Sequence, residues 1–386
     1  PLVRPPRRLH PSARGTMVYV PGAALVPSSF ALSGARASRV AEMKRFGKVS
    51  FTGREKLQGE ALTQLWRIDL GPSYSGPIVT ADKVFVTETL NKKTETVKAL
   101  DRKTGKLLWT REWEGAMTVP FFAKANGDWI RSTPAFDGQS LYVAGMRDVL
   151  VCLDANTGSE RWRIDFVKET GTRIPDFGFV CSPLVVGEHV YVQAGGGFAK
   201  VDKSTGKIVW KTLDDGGGMN GSAFSSPVFT KIHGKDILIV QTRTKLAAVE
   251  PADGKVLWQE EVPAFRGMNI LTPTIVGDAI FTSSHSGGTF LYGVKQGHAG
   301  VQQAWKQRFD GYMSSPIIID GHAYLHLKNQ RLCCVEVKTG TSKWTTPKTF
   351  GKYWSMVAQK DKILALDENG ELLLIHATPE KFDLLD

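Results

Sequence analysis

The chain of 386 residues carries a net charge of +11 at pH 7, with 42% hydrophobic residues, 39 glycines and 10 tryptophans. It has no run of 18 apolar residues, which excludes a transmembrane helix, and its composition is typical of a globular protein rich in turns. Residues 1–48 hold nine Lys and Arg against one Glu, so little positive charge remains for the rest of the chain. Nucleic-acid binding is therefore not expected.

The first 50 residues are basic, rich in Pro, Ser and Gly, and without helical or strand periodicity. We expect this leader, residues 1–50, to be disordered or a targeting segment. An apolar run from Met17, followed by Ala35-Arg36-Ala37, resembles the core of a secretory signal with a small-residue cleavage site. The leader favours export to the periplasm or cell envelope, with a cytoplasmic location as the alternative.

Residues 61–386 repeat two short phrases at nearly constant intervals. One is an apolar run, an acid, two residues, Thr-Gly or a relative and then a tryptophan, as in CLDANTGSERW at 152–162. The other is Ser-x-Pro or a variant, found seven times from SGP at 75–77 to SMV at 355–357. A period of about 40 to 50 residues indicates stacked supersecondary units. We expect the following tryptophans to be structural, with the first of them on a lone strand: Trp66, Trp109, Trp162, Trp210, Trp258, Trp305 and Trp344.

Each unit has four predicted strands, A to D. Strand A begins at Ser-x-Pro, B is a run such as HVYVQ, C ends at the acid, and D carries the tryptophan. The acid and Thr can bond nearby backbone amides while Gly takes a positive φ, so the phrase closes the C-to-D hairpin. The indole rings are expected to be buried between neighbouring sheets. Repeated four-stranded sheets predict an all-β protein, a β-propeller with seven repeat units in this chain.

These phrases together resemble the PQQ-like repeat family, the quinoprotein alcohol dehydrogenase-like propellers. The resemblance covers residues 61–386 and implies eight blades. Counting Trp66, the seven A strands and seven strand D tryptophans also allow a seven-bladed ring. With eight blades, the Trp66 strand would need a further A, B and C, and the propeller would be truncated at its C-terminus. The family includes cofactor-dependent dehydrogenases and non-catalytic propellers such as the lipoprotein of the outer-membrane β-barrel assembly machinery, which this chain also resembles.

No spacing of residues singles out a catalytic, cofactor or metal site, so no residue is assigned to any of these roles from the sequence. Cys333-Cys334 resembles the vicinal pair beside the quinone of quinoprotein dehydrogenases, but it aligns with Cys152 on a regular strand C, which favours core packing. We therefore predict no cofactor. The alternative function is a dehydrogenase of alcohols or sugars that uses pyrroloquinoline quinone (PQQ) with Ca²⁺. In that case Trp354 would lie under the quinone, and Arg131 would contact a carboxylate or a quinone oxygen.

The connections from strand D of one unit to strand A of the next are longest in the first units of the chain. All of them lie on one side of the ring. The first contains AMTVPFFAKANGDWIR, in which Val119, Phe121, Phe122 and Trp129 suggest a partner-binding loop. The alternative is a flap that packs on its own blade.

A second set of residues lies three positions before each strand A proline, or at the equivalent position. These residues are expected to form a collar at one mouth of the channel, where they could hold a peptide or a planar ligand, or plug the channel. The collar comprises Tyr74, Arg131, Val180, Phe224, Ile270, Met313 and Trp354. The predicted function is a non-catalytic, monomeric scaffold that binds a protein or peptide.

Overall fold

The computed structural model describes residues 64–221, 224–367 and 370–386, together with the strands Gly15–Tyr19 and Val26–Pro27. Within these residues the chain forms seven antiparallel sheets of four strands, each in the order A-B-C-D. The predicted all-β propeller fold with four-stranded blades is confirmed.

Each blade contains strands A, B, C and D in chain order. Blades 1 and 2 consist of Ile78–Val79, Lys83–Leu90, Thr94–Asp101 and Leu107–Glu114, and of Ala135–Phe136, Ser140–Gly145, Val149–Asp154 and Glu160–Asp165. Blades 3 and 4 consist of Leu184–Val186, His189–Gln193, Phe198–Asp202 and Ile208–Thr212, and of Val228–Ile232, Lys235–Gln241, Lys245–Val249 and Val256–Glu261. Blades 5 and 6 consist of Thr274–Val276, Ala279–Ser284, Gly288–Val294 and Val301–Gln307, and of Ile317–Ile319, His322–His326, Leu332–Glu336 and Ser342–Thr345. Blade 7 consists of Trp354–Gln359, Lys362–Asp367, Leu372–His376 and Asp383–Leu384.

A further strand, Trp66–Leu70, precedes blade 1. It pairs antiparallel with Gly15–Tyr19, which in turn pairs with Val26–Pro27. The predicted leader therefore contributes two short strands, and the rest of it lies outside the described residues. The leader boundary and the missing A, B and C strands stay predictions.

The antiparallel order gives each blade two different ends. The A-B and C-D turns lie at one end, which we call the turn face. The B-C turns and the D-to-A connections between blades lie at the other, which we call the loop face. The loop face carries an α-helix, Phe166–Thr170, and two 3-10 turns, Phe121–Asn126 and Phe265–Gly267, whereas a third, Gln296–His298, lies on the turn face.

The repeated tryptophan joins each blade to the next one. The indole Nε1 of Trp162 donates to the carbonyl of Lys203, the residue after the acid in the C-D turn of blade 3, at 2.8 Å. The ring covers Gly206 of that turn, where an added Cβ would lie 2.8 Å from it. The acid-Thr-Gly phrase is thus also the docking site for the preceding tryptophan. The same bond links Trp66 to Arg102, Trp109 to Ala155, Trp210 to Pro251, Trp305 to Val337 and Trp344 to Thr378.

The turn itself is closed as its sequence predicts. In blade 3, Asp202 Oδ1 accepts hydrogen bonds from the backbone amides of Ser204 at 3.0 Å and Thr205 at 2.8 Å, and also from both hydroxyls. These bonds hold the pKa of Asp202 at about 2, led by the one from the Ser204 hydroxyl. The carboxylate therefore stays charged and keeps the docking turn in shape.

The expected position of the tryptophans between neighbouring blades is confirmed, since the rings pack against clusters shared by two blades, but the expected full burial is wrong for most of them. Strand D is the outer strand of its blade, so each ring lies at the outer end of the space between two blades. Side chains of strands B and C, such as Leu150 and Val192, fill the inner part of that space. Trp66 and Trp258 are buried, while the remaining five are half-buried: Trp109, Trp162, Trp210, Trp305 and Trp344.

Blade 5 departs from the pattern because its C-D turn lacks the acid-Thr-Gly phrase. Among the described residues, Trp258 Nε1 has no hydrogen-bond partner. Two histidines join blades 4 and 5 instead. His298 Nε2 lies 3.0 Å from the carbonyl of Ile232, and His233 Nε2 lies 2.7 Å from the carbonyl of Val294.

The Ser-x-Pro phrase joins the inner strands of successive blades. The backbone amide of Gly76 donates to the hydroxyl of Thr133 at 2.9 Å, and the amide of Thr133 donates to Ser182 at 3.2 Å. The amide of Ser182 then donates to the hydroxyl of Ser226 at 2.9 Å, and the amide of Ser226 to that of Thr272 at 3.1 Å. The hydroxyl of the middle residue of each phrase in blades 2 to 5 thus accepts a hydrogen bond from a buried amide of the preceding blade.

Candidate functional site

The first D-to-A connection, residues 115–134, crosses the loop face and carries exposed aromatic side chains. Phe121 is 84% exposed and Phe122 is 50% exposed. Val119, predicted to belong to the same contact surface, is instead buried with Ala123 and Met146, so that part of the prediction is wrong. The connection therefore has an apolar base packed on its own structure and an exposed apolar tip.

A buried carboxyl group fixes the base of this connection. Glu95 Oε2 accepts from the indole of Trp113 at 2.8 Å, and Oε1 accepts from the backbone amide of Met146 at 2.7 Å. A Cβ at Gly115 would lie 2.1 Å from Glu95 Oε2, so only glycine fits there. Burial raises the pKa of Glu95 to about 7 against the opposing effect of these bonds. The carboxyl group can therefore titrate near neutral pH.

Aromatic rings from successive loops contact one another on the loop face. Phe177 lies between Phe122 and Phe224, with ring centroids 6.1 and 5.7 Å apart. We call the three groups of contacting rings on this face the rim, which comprises the pair Tyr74 and Trp129, the set Phe122, Phe177 and Phe224, and the set Phe265, His285, Tyr312 and Tyr353.

The rim continues on the other side of the loop face. Tyr312 contacts His285 at 5.5 Å and stacks on Tyr353 at 5.7 Å. Tyr74 packs against Trp129 at 5.2 Å. These distances are typical of favourable aromatic pairs, and the rings belong to connections that are far apart in the sequence.

Three arginines lie on the faces of rim rings: the exposed Arg266, 5.1 Å from the centroid of Phe265, and the less exposed Arg243 and Arg131. Arg243 has its guanidinium carbon 5.6 Å from the centroid of Phe177 and 5.3 Å from that of Phe224. Its Nη2 donates to the carbonyl of Arg266, while its buried Nη1 has no hydrogen-bond partner among the described residues. The guanidinium plane is thus held in place with one donor unused.

Arg131 is the third of these arginines and is only 4% exposed. Its guanidinium carbon lies 5.5 Å from the ring centroid of Tyr74, and its Nη2 donates to the carbonyl of Gly127. Its Nε has no hydrogen-bond partner within the described part of the chain. Burial raises the pKa of Tyr74 to about 12, so the neighbouring phenol stays neutral.

The predicted collar is largely covered. Phe224 is half-buried, and the other six members are buried: Tyr74, Arg131, Val180, Ile270, Met313 and Trp354. Trp354 differs further because it is the first residue of strand A in blade 7 and stacks on His326 at 4.8 Å. Four rim residues belong to the predicted collar or loop, namely Tyr74, Phe224, Phe122 and Trp129. The other five were not predicted because they occupy different positions in loops of different length.

The residues proposed for a quinone site do not fit one. Trp354 is buried, with His326 stacked on one face and Phe350 in an edge contact at 4.8 Å, so it offers no exposed platform. Cys333 and Cys334 are free thiols that pack into different core clusters on opposite faces of strand C. In the described ranges, no three His, Cys, Asp or Glu residues lie close enough to hold a metal ion.

The match to a known family covers most of the chain. A family model described as "Outer membrane protein assembly factor BamB" matches residues 93–346. The chain belongs to this family. A BamB of Yersinia pestis is 22% identical over 255 residues, which cover 63% of this chain and 62% of that protein. The chain spans less than two thirds of the length of the curated BamB relatives that it matches.

Solved structures support the fold of this BamB-family chain. BamB from Moraxella catarrhalis aligns with a TM-score of 0.61 at 15% identity, over 81% of this chain and 88% of that one. The quinohemoprotein alcohol dehydrogenase ADHIIG from Pseudomonas putida HK5 aligns with a TM-score of 0.54 at 12% identity, over 78% and 62%. The predicted membership of the PQQ-like repeat propellers is confirmed, and at these identities the likeness concerns the fold alone. Among the described residues, no helix is long and apolar enough to cross a membrane.

Proposed function

We propose that this propeller is a non-catalytic scaffold of the cell envelope that binds a protein or peptide through its loop face during the assembly of outer-membrane proteins. The observation that carries the proposal is the exposed aromatic tip formed by Phe121 and Phe122. The setting is suggested by the name of the curated relatives, outer membrane protein assembly factor.

The tip is part of a larger apolar surface. Phe121 packs edge-on against Phe122 at 5.6 Å, and Phe122 continues into the rim through Phe177. Exposed, contiguous apolar side chains are costly in water, and on a folded protein they commonly mark a surface that a partner covers. Their position on a loop held by a rigid base is typical of binding sites built on a stable scaffold.

The quinone-dependent dehydrogenase has weaker support. It rests on a fold that the alcohol dehydrogenase shares at 12% identity, whereas function depends on the residues of a site. The burial of Trp354, with His326 stacked on it, opposes quinone binding at the one aromatic platform that the sequence suggested.

Site-specific photo-crosslinking tests the proposal. Phe122 and Leu107 are both 50% exposed, but Leu107 lies on strand D of blade 1, at the perimeter. A photoreactive amino acid at position 122, introduced in the native host, should give one defined protein adduct that is absent when it replaces Leu107. The same adducts at both positions, or none at position 122, would contradict the proposal.

A matched pair of substitutions provides a second readout. Because both side chains are exposed, Phe121→Ser and Phe122→Ser together should reduce co-purification of that partner with little change in the thermal unfolding of the purified protein. Unchanged co-purification would argue against the loop face as the binding surface.

A further inference from the structure

We propose that the rim binds an acidic segment of a partner protein, with Arg131 and Arg243 as the two anchors for its carboxylates. The proposal rests on the proposed function and names the chemistry of the partner. Its support is the positive charge of these two arginines, which no acid of the described residues pairs directly, and the aromatic rings beside them.

Arg131 is a buried cation whose charge no anion neutralises directly. It forms no ion pair within 4.0 Å among the described residues, although Asp128 lies near enough to influence its pKa electrostatically. Burial lowers the pKa of Arg131, but a guanidinium remains protonated at neutral pH. Because burying an unpaired charge is unfavourable, a carboxylate bound at the rim beside Arg131 would recover part of that cost through the attraction of the two charges, although Nε itself is buried.

Arg243 presents the same chemistry in a more accessible position. Asp176 and Asp215 lie in its electrostatic neighbourhood, yet neither forms an ion pair with it in the described ranges. Asp215 instead accepts from the backbone amide of Gly217 at 2.9 Å. The two phenylalanine faces and the bond to the carbonyl of Arg266 fix the guanidinium plane, so its positive charge is held in one place beside the rim, although Nη1 itself is buried.

The surroundings favour a carboxylate on a peptide over a small inorganic anion. Each arginine lies on aromatic rings, and the exposed Phe121 and Phe122 adjoin the same rim. A free phosphate could use the donors but would leave these rings in water. An extended chain with acidic and apolar residues could pair its carboxylates with planar guanidinium donors and cover the rings as well.

The test uses peptide binding to the full chain, measured by fluorescence anisotropy. The probe is a labelled peptide of alternating Glu and Leu, and the matched peptide has Gln in place of every Glu. We expect the acidic peptide to bind more tightly and its affinity to fall as salt is added. Arg243→Gln should weaken binding about tenfold, the loss expected for a charge-assisted hydrogen bond. Arg243→Lys should restore affinity only in part, because ammonium lacks the planar donors.

The control replaces an arginine of the perimeter by the same residue. Arg111 lies on strand D of blade 1 with 44% of its side chain exposed, so Arg111→Gln removes equal charge without touching the rim. It should leave the affinity for the acidic peptide nearly unchanged. Equal losses for Arg111→Gln and Arg243→Gln would overturn the proposal, since they would show a general charge effect.

Other outcomes also decide the question. Equal binding of the Glu and Gln peptides, or no binding of the acidic peptide at millimolar concentration, would overturn the proposal. Binding of tripolyphosphate that depends on Arg243, without binding of the peptide, would assign the site to a phosphate anion instead. If the crosslink at position 122 persists while Arg243→Gln leaves affinity for that partner unchanged, the acidic-segment proposal fails and the scaffold function stands.

Discussion

Two glycines of blade 3 allow the docking contact to be separated from backbone strain. Gly206 has φ +75°, and a Cβ there would lie 2.8 Å from the ring of Trp162. Gly187, in the A-B turn of the same blade, has φ +56° and would place a Cβ in open space. Alanine at either position must adopt the left-handed region, but only alanine at position 206 also displaces the indole.

The structure sets the expected magnitudes. An L residue in the left-handed region costs about 1–2 kcal/mol, so Gly187→Ala should lower the free energy of unfolding by about that amount. Losing a fully buried aromatic side chain costs about 3–5 kcal/mol, and a half-buried ring should contribute less. We therefore expect Gly206→Ala to lower the free energy of unfolding by about 2–4 kcal/mol, more than its control.

Equilibrium urea unfolding measures both variants, each alone and combined with Trp162→Ala. Without the indole, Gly206→Ala should cost no more than Gly187→Ala, because only the backbone strain remains. Equal losses for the two glycine variants in the protein with Trp162 would refute the docking role of the turn. So would a loss for Gly206→Ala that does not depend on Trp162.

Three further predictions concern a buried acid, the inner hydrogen bonds and the absence of a cofactor. Burial raises the pKa of Glu95 from 4.5 to about 7, so the folded state binds more protons than the unfolded state between these values. The free energy of unfolding should therefore fall by about 3 kcal/mol as pH rises from 4.5 to 7. In Glu95→Gln, the free energy of unfolding in urea should depend less on pH over this range. The same pH dependence in the variant and the unchanged protein would contradict this prediction. Ser226→Ala should lower the free energy of unfolding in urea by about 1–3 kcal/mol, because it leaves the backbone amide of Ser182 unpaired. The control, Ser315→Ala, should lower it much less, because the Ser315 hydroxyl has no hydrogen-bond partner among the described residues. Titration with PQQ and Ca²⁺, followed by absorbance and dye-linked turnover, should show no stoichiometric binding, and reduction of dye with any alcohol or sugar would overturn the non-catalytic proposal.

The strand order within each blade could be predicted from the sequence because its causes are local. The alternating runs, the Ser-x-Pro starts and the acid-Thr-Gly turn act over a few residues, as the bonds from Ser204 and Thr205 to Asp202 show. The same locality correctly placed Cys333 and Cys334 on a regular strand C.

The role of the repeated tryptophan in joining the blades could be recognised only from the tertiary structure. Trp162 and Lys203 are 41 residues apart, and only the packing of one blade on the next brings the indole to the carbonyl. The sequence predicted a large ring at a fixed position, but not that the outermost strand would leave it half-buried.

The candidate binding surface was predictable only in part, for the same physical reason. An apolar loop sequence indicates that some of its side chains will be buried by the protein or by a partner, but not which ones. In this loop Val119 is buried while Phe121 is exposed. The contact of Phe177 with Arg243 joins two loops of different blades and follows no shared sequence position. The local pattern therefore determined the blades, whereas the packing between blades decided which residues meet on the loop face.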